Sequence, residues 1–192
     1  RKYCRKGEKQ RYWNIRTNSL MQVKQTSKTI KKCCSLQRFT NMKSNGIYRS
    51  PLFYVGDKYK LMGEIKTHFP RKIKTFVEPF VGGGSVFLNV EAQRYMLNDI
   101  DPWVVGIHQY LYAQSEKKEE FFQDLFRLID QYGLSCSYRN DVVPKKIKKE
   151  FPKTYFAKYN KEAFVRLRAD FNISDKRSML YLYALLIYGF NR

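Results

Sequence analysis

Residues Thr75 to Val90 read TFVEPFVGGGSVFLNV. Phe76, Val77, Phe80 and Val81 form a short continuous apolar run, which predicts a strand from Thr75 to Phe80. The run is too continuous for a half-exposed strand, so it is expected in the middle of a sheet covered on both faces. Gly82-Gly83-Gly84 follows. Without Cβ atoms these residues permit positive φ and let the backbone come close to a cofactor. Ser85 stands where it can cap a helix carrying Val86, Phe87, Leu88 and Val90, whose first amides would face whatever sits in the turn.

A second strand is expected at Tyr95 to Leu97, ending in Asn98-Asp99. Glu78 and Asp99 stand 21 positions apart. In nucleotide-binding βαβ units an acid at about this distance, after the second strand, accepts bonds from ribose hydroxyls. Asp101-Pro102 then opens a helix, with Asp as N-cap and Pro at the first helical position. Trp103, Val104, Ile107, Tyr110 and Leu111 give that helix an apolar stripe. The fold class is therefore α/β. Two common phosphate-binding patterns fail here. Gly82 and Gly84 fit G-x-G-x-x-G, but Phe87 takes the third glycine position, and no Gly-Lys-Ser/Thr follows.

Upstream, PLFYVGDKYKLMGEIKTHFP (residues 51–70) has a turn at Gly56-Asp57. A helix is expected from Lys58 to Phe69, with Leu61, Met62, Ile65 and Phe69 at helical spacing, stopped by Pro70. Downstream, Lys118 to Tyr132 is an amphipathic helix closed by Gly133. Residues 134–158 read as irregular and basic. There Lys145, Lys146, Lys148, Lys149, Lys153 and Lys158 alternate with Phe151, Tyr155 and Phe156, a mix that suits phosphate contact and base stacking or simply a solvated loop. Two further helices are expected, Asn160 to Phe171 and Asp175 to Tyr188. The second is apolar nearly all round and so is expected to be buried. A domain seldom finishes on such a helix, so more chain is expected after Arg192.

The chain has 192 residues, 43% of them hydrophobic, enough for one sizeable core and an appendage. Its net charge is +20, and 14 of the 37 Lys and Arg fall in residues 1–50 against a single acid, Glu8. A polyanionic partner is the natural counterpart of such a charge. Residues 1–49 lack a helical or strand period. We expect either a poorly ordered basic arm or an upstream extension, with the working protein starting at Met42 or Met21. The latter is favoured because patterning begins near Ser50. Cys4, Cys33, Cys34 and Cys136 form no C-x-x-C pair or framework, as in a reducing compartment. A zinc site would need His68 or His108 to join them across the fold, and no metal is expected. No stretch reaches the ~20 apolar residues of a membrane span, and no signal peptide is visible. A cytoplasmic protein with no membrane association is the expectation.

Five blocks then resemble, in order, the Dam-type adenine-specific DNA methyltransferases. FYVGDKYKL is similar to their first cofactor motif, TFVEPFVGGGSVFLN to their glycine-rich motif, and MLNDID to their ribose-binding acid. YNKEAFVRLRADFN and LIYGFN resemble the helical stretches before their specificity hairpin. Phe80-x-Gly82-x-Gly84 matches the short turn of methyltransferases that bind S-adenosylmethionine, a ligand with no phosphate to cradle. The resemblance covers roughly residues 50–192, and residues 1–49 match nothing.

It implies a partial Rossmann-like S-adenosylmethionine-dependent methyltransferase fold, with cofactor-binding α/β residues at 50–114 and the helical start of a target-recognition region at 115–192. It also implies that Tyr54 packs on the cofactor and Lys58 binds its carboxylate end. Phe80, Gly82 and Gly84 would shape the turn, supported by Glu78. Asp99 would accept the ribose hydroxyls and Ile100 would flank the adenine. The expected partner is duplex DNA, bound by a monomer, with a cognate restriction endonuclease as a companion of the family.

The family's Asp-Pro-Pro-Tyr signature is absent. Asp101-Pro102-Trp103 lacks the second proline and sits directly behind the ribose acid, so no catalytic residue is assigned. These 192 residues alone are expected not to methylate. The alternatives are a non-catalytic DNA-binding remnant or split-enzyme subunit, and a nucleotide-dependent oxidoreductase, the latter disfavoured by Phe87.

Overall fold

Two parallel strands frame the glycine turn: β2, Ile73–Glu78, and β3, Ala92–Leu97, paired from Ile73 opposite Ala92 to Glu78 opposite Leu97. A third, β1 (Met21–Val23), lies antiparallel on the other side of β3, giving the order β1-β3-β2. The computed structural model describes residues 21–23, 46–52, 54–139 and 143–189. The expectations for Cys4, Cys33, Cys34 and Met42, for the rest of the basic arm, and for Phe190 and Asn191 lie outside the described residues. The parallel pair and the helices around it make an α/β protein. The residues fall into two compact units that divide between Ser115 and Glu116, with Leu52–Tyr54 grouped with the second.

In the sheet unit, Phe76 meets Tyr95 edge-on at 6.2 Å and Phe69 at 5.7 Å. Tyr95 is fully buried, and its hydroxyl donates to the Val90 carbonyl and accepts from the Ala92 amide, both at 2.8 Å. This satisfies the one polar atom of an otherwise apolar payload. Helix α2, Pro102–Gln114, starts as expected: the Asp101 carboxylate accepts from the Trp103 amide at 2.9 Å, with Pro at the head of the helix. Val104, Val105, Ile107, His108 and Leu111 are buried, whereas Trp103 at the first turn is not.

Three expectations for this unit are corrected. Strand β2 is at the edge of the described sheet, with Val77 57% exposed, so only its Phe76 face is covered. The stretch after the glycines forms a single 3-10 turn, Phe87–Asn89, in place of a helix. Asn89 explains this. Its side-chain amide donates to the Ser85 carbonyl at 2.8 Å, taking the acceptor that its own backbone would use in an α-helix. Its oxygen and amide also hold the Tyr48 backbone, both at 2.7 Å. The Lys58–Phe69 helix is also broken, into 3-10 turns at Tyr59–Leu61 and Lys66–His68 around the short helix α1, Met62–Ile65. Gly63 weakens its middle, and the Thr67 hydroxyl bonds back to the Glu64 carbonyl at 2.7 Å.

The second unit is helical. Helix α3, Lys118–Tyr132, buries Phe121, Leu125, Leu128, Ile129 and Tyr132. It closes at Gly133, whose φ of 69° lets the Leu134 amide reach the Ile129 carbonyl at 3.0 Å. Residues 134–158 are not wholly irregular: Pro144 opens helix α4, Lys145–Glu150, where straight-chain lysines are good helix formers. Helices α5, Tyr155–Asn172, and α6, Met179–Gly189, pack together. A buried polar knot ties them: the Asn160 oxygen accepts from the Ser135 amide at 2.8 Å, and the Tyr188 hydroxyl donates to the Ser135 carbonyl at 2.8 Å. Helix α6 is less enclosed than its composition implies. Ala184 and Tyr188 are its buried residues, and the rest of the helix is half-buried.

Candidate functional site

The glycine turn is fastened to the end of β3 rung by rung. The Asn98 amide donates to the Glu78 carbonyl at 2.9 Å, and the Val81 amide to the Asn98 carbonyl at 2.8 Å. The Gly82 amide then donates to Asp99 Oδ2 at 2.9 Å, while Asp99 Oδ1 takes the Asp101 amide at 3.1 Å. Two positive φ angles, 45° at Gly82 and 79° at Gly84, turn the chain sharply enough to do this. Gly84 has a second constraint. A Cβ there would sit 2.4 Å from the Phe87 ring and 2.8 Å from the His108 ring.

Two titratable groups brace the turn from below. Glu78 accepts from the Phe87 amide at 3.0 Å; burial raises its carboxyl to about 7, against the lowering effect of that hydrogen bond. His108, on α2, lies 2.8 Å from the Gly82 carbonyl through Nε2. A carbonyl only accepts, so Nε2 carries the hydrogen. Burial pushes the His108 pKa down, opposed by the Gly82 hydrogen bond and by the Asp99 charge. Its ring meets Phe87 edge-on at 5.4 Å. Both polar groups of the Gly82 residue are thereby occupied, one by Asp99 and one by His108.

The upstream loop joins from the side. The Ser85 hydroxyl donates to Asp57 Oδ1, which also accepts the Tyr59 amide at 3.1 Å, and the Ser50 hydroxyl donates to the Gly83 carbonyl. Ser85 is thus a tether to Asp57 and not the helix cap expected of it.

Of the eight candidate residues, Glu78, Gly82, Gly84 and Asp99 belong to one bonded network. Phe80 and Ile100 leave the carboxyl ends of β2 and β3 strongly exposed, at 80% and 64%. Lys58 is exposed and folds its ammonium onto the Gly56 carbonyl at 3.0 Å. Tyr54 is half-buried and groups with the helical unit. Asp57, Asn89 and His108 are participants that sequence reasoning missed. Only Asp57 carried a signal, as part of the Gly-Asp turn. A cavity of about 470 Å³ lies at the opposite, amino ends of β2 and β3, lined by Lys66, Phe69, Arg71, Ile73 and Val90 among others. It includes none of the eight candidates, so cavity size and hydrogen-bonded geometry point to different ends of the strands. The chemistry-bearing groups are at the carboxyl ends, where ligands of open α/β sheets bind.

A parallel pair whose first loop is a glycine turn closed on the acid after the second strand is the kind of place where open α/β sheets take small ligands. The chain belongs to the D12 class N6 adenine-specific DNA methyltransferase family, which matches residues 54–192. It is similar to the type II methyltransferase M.FokI of Planomicrobium okeanokoites, 36% identical over 149 residues, 78% of this chain and 19% of that protein. It is similar also to the modification methylase StsI of Streptococcus sanguinis, 30% identical over 164 residues, 85% of this chain and 21% of that protein. The DNA adenine methylase of Escherichia coli strain K12 is 32% identical over 153 residues, 78% of this chain and 43% of that protein. The chain therefore spans less than half the length of each of these relatives.

Proposed function

We propose that this chain is the S-adenosylmethionine-binding part of an adenine-specific DNA methyltransferase with a Rossmann-like fold, acting on duplex DNA in the cytoplasm. The observation that carries the reading is the hydrogen bond from the Gly82 amide to Asp99 at 2.9 Å, which joins the glycine turn to the acid after β3. The turn fits such a ligand in three respects. Gly82 and Gly84, both at positive φ, turn the backbone sharply enough to bring the loop against Asp99. Asp99 spends one bond on each carboxylate oxygen, and each oxygen keeps a lone pair for a hydroxyl. Phe80 and Ile100 supply apolar surface beside it.

In this reading Asp99 holds the ribose hydroxyls, Ile100 flanks the adenine ring and Phe80 shapes the turn. Glu78 keeps that turn in place through Phe87. Lys58 swings from the Gly56 carbonyl to the carboxylate end of the ligand, and Tyr54 packs on it. When bound, S-adenosylmethionine supplies the methyl group that such enzymes transfer to the exocyclic amine of adenine.

Receiving the adenine is a separate task. An extruded base needs a polar side chain and a backbone carbonyl on its amine and an aromatic ring on its face. The Asp-Pro-Pro-Tyr signature that does this in the family is absent from these residues, so the chain binds the methyl donor without transferring it. A second chain carrying the signature would complete the site, the split-enzyme form of the same reading. Family membership also makes a cognate restriction endonuclease a natural companion. Calorimetric titration with S-adenosylmethionine, together with radiolabelled methyl incorporation into duplex DNA, tests both halves. We expect saturable one-site binding and no incorporation. Absence of binding would overturn the first half, and incorporation the second.

A further inference from the structure

Residues 145–158 hold six lysines, Lys145, Lys146, Lys148, Lys149, Lys153 and Lys158, against one acid, Glu150. Charges of one sign at adjacent turns of a helix repel one another. Among the described residues none of the six is ion-paired. Three carboxylates of the helical unit serve other cations, Asp124 with Arg127, Asp130 with Arg139 and Asp170 with Lys176. The charge is segregated, six lysines to one acid, and largely unmatched.

The aromatic residues between these lysines are already engaged. The Lys158 ammonium stands 4.9 Å from the Phe151 ring centre and that of Lys148 5.5 Å from Tyr155. Phe156 stacks on Tyr188 at 5.6 Å. Rings engaged in this way offer less open face to an unpaired base. The two cation–π pairs tie α4 to the start of α5. Lys145, Lys146, Lys149 and Lys153 remain exposed on that frame. Helix α4 is about 9 Å long, the axial length of two to three phosphates of one duplex strand.

We propose that the α4–α5 lysine face docks on the phosphate backbone of duplex DNA and grips it without reading sequence. The proposal takes only the identity of the polyanion from the proposed function. Four unpaired ammonium groups on an ordered frame suit a stiff array of phosphates. The rings that alternate with these lysines, Phe151, Tyr155 and Phe156, already carry an ammonium group or another ring, which favours a duplex over a single strand, whose binders stack bases.

The test compares two variants of the full chain with equal loss of charge. One carries Lys145→Gln, Lys146→Gln, Lys149→Gln and Lys153→Gln. The other carries Lys60→Gln, Lys66→Gln, Lys72→Gln and Lys74→Gln, all exposed in the sheet unit. Duplex affinity is measured between about 50 and 200 mM salt, where each phosphate contact contributes about 0.9 to the log–log slope. The α4–α5 variant should lower the slope by about 2–4 and the sheet variant by less than about 1. Equal losses in the two, or none in the first, would overturn the proposal. So would tighter binding of single-stranded DNA through the same lysines. Replacing the same four lysines by arginine should preserve the slope, which separates charge from misfolding. S-adenosylmethionine titration of each variant should match the parent. If the parent itself fails to bind that ligand, the proposed function fails while the salt comparison still stands.

Discussion

The glycine turn and the α4–α5 lysine face are built in opposite ways. At the turn the polar groups are spoken for: the Gly82 amide by Asp99, its carbonyl by His108, the Phe87 amide by Glu78 and the Gly83 carbonyl by Ser50. What is left for a ligand is shape, a few lone pairs and exposed apolar surface. On the lysine face the backbone is a short helix and the turn after it, and the charges are what remain unmatched. A small ligand without phosphate groups calls for the first arrangement, because its binding depends on positions fixed in advance. A polyanion calls for the second, because counterion release needs charge but little geometry. Substitutions at the turn should therefore act on stability and small-ligand affinity, and those on the lysine face on salt dependence.

The sharpest break is Gly84→Ala. A φ of 79° strains any L residue, and the new Cβ would lie 2.4 Å from the Phe87 ring. Adding ~1 kcal/mol for the backbone to 1–3 for overpacking, we expect a loss of roughly 2–4 kcal/mol in urea unfolding of the sheet unit. Full stability would show that the turn is looser than its hydrogen bonds imply. Asp99→Ala comes next. It leaves the Gly82 and Asp101 amides unpaired and removes the acceptor for the ligand's hydroxyls, so S-adenosylmethionine affinity should fall by about 30-fold, or ~2 kcal/mol. The slope of duplex binding should not change.

Glu78→Gln tests the brace through pH. Burial raises this carboxyl from 4.5 to about 7, so the folded chain holds the proton more tightly than the unfolded one. Stability from this group is full below about pH 4.5 and is lost as pH rises through about 7. The variant keeps an acceptor for the Phe87 amide. It should match the parent at pH 4.5 and exceed it by on the order of 1–2 kcal/mol at pH 8. His108 works in the other direction: its lowered pKa gives stability above its ordinary 6.5 that is lost on acidification. That contribution is common to both chains and cancels in the comparison. The smallest effect belongs to the helical unit. Gly133→Ala meets nothing within 4 Å but keeps a φ of 69°, so it should cost about 1 kcal/mol in thermal unfolding.

The parts legible in the sequence were those written in local patterns. Helix α3 and its glycine cap, the Asp101-Pro102 start of α2 and the step from glycine turn to acid depend on neighbours along the chain. The parts that were not legible depend on distant partners. Nothing near Asn89 announces that its side chain would be drawn to Tyr48, 41 positions away, at the expense of a helix. His108 looks like one polar residue on an apolar helix until Gly82, 26 positions away, provides its acceptor. The apolar run of β2 suggested a strand covered on both faces, yet hydropathy says which faces favour cover and not which neighbour supplies it. Val77 and Phe80 are the exposed consequence.

Hydrogen–deuterium exchange with and without S-adenosylmethionine tests the central claim most directly, since it reports where the ligand is held as well as whether it binds. Slowed exchange at residues 78–87 and 98–101, with no change around Lys66, Phe69 and Arg71 at the opposite ends of the strands, is the predicted result. Protection at that far cavity, or none at the glycine turn under saturating ligand, would contradict the assignment of the turn as the methyl-donor site.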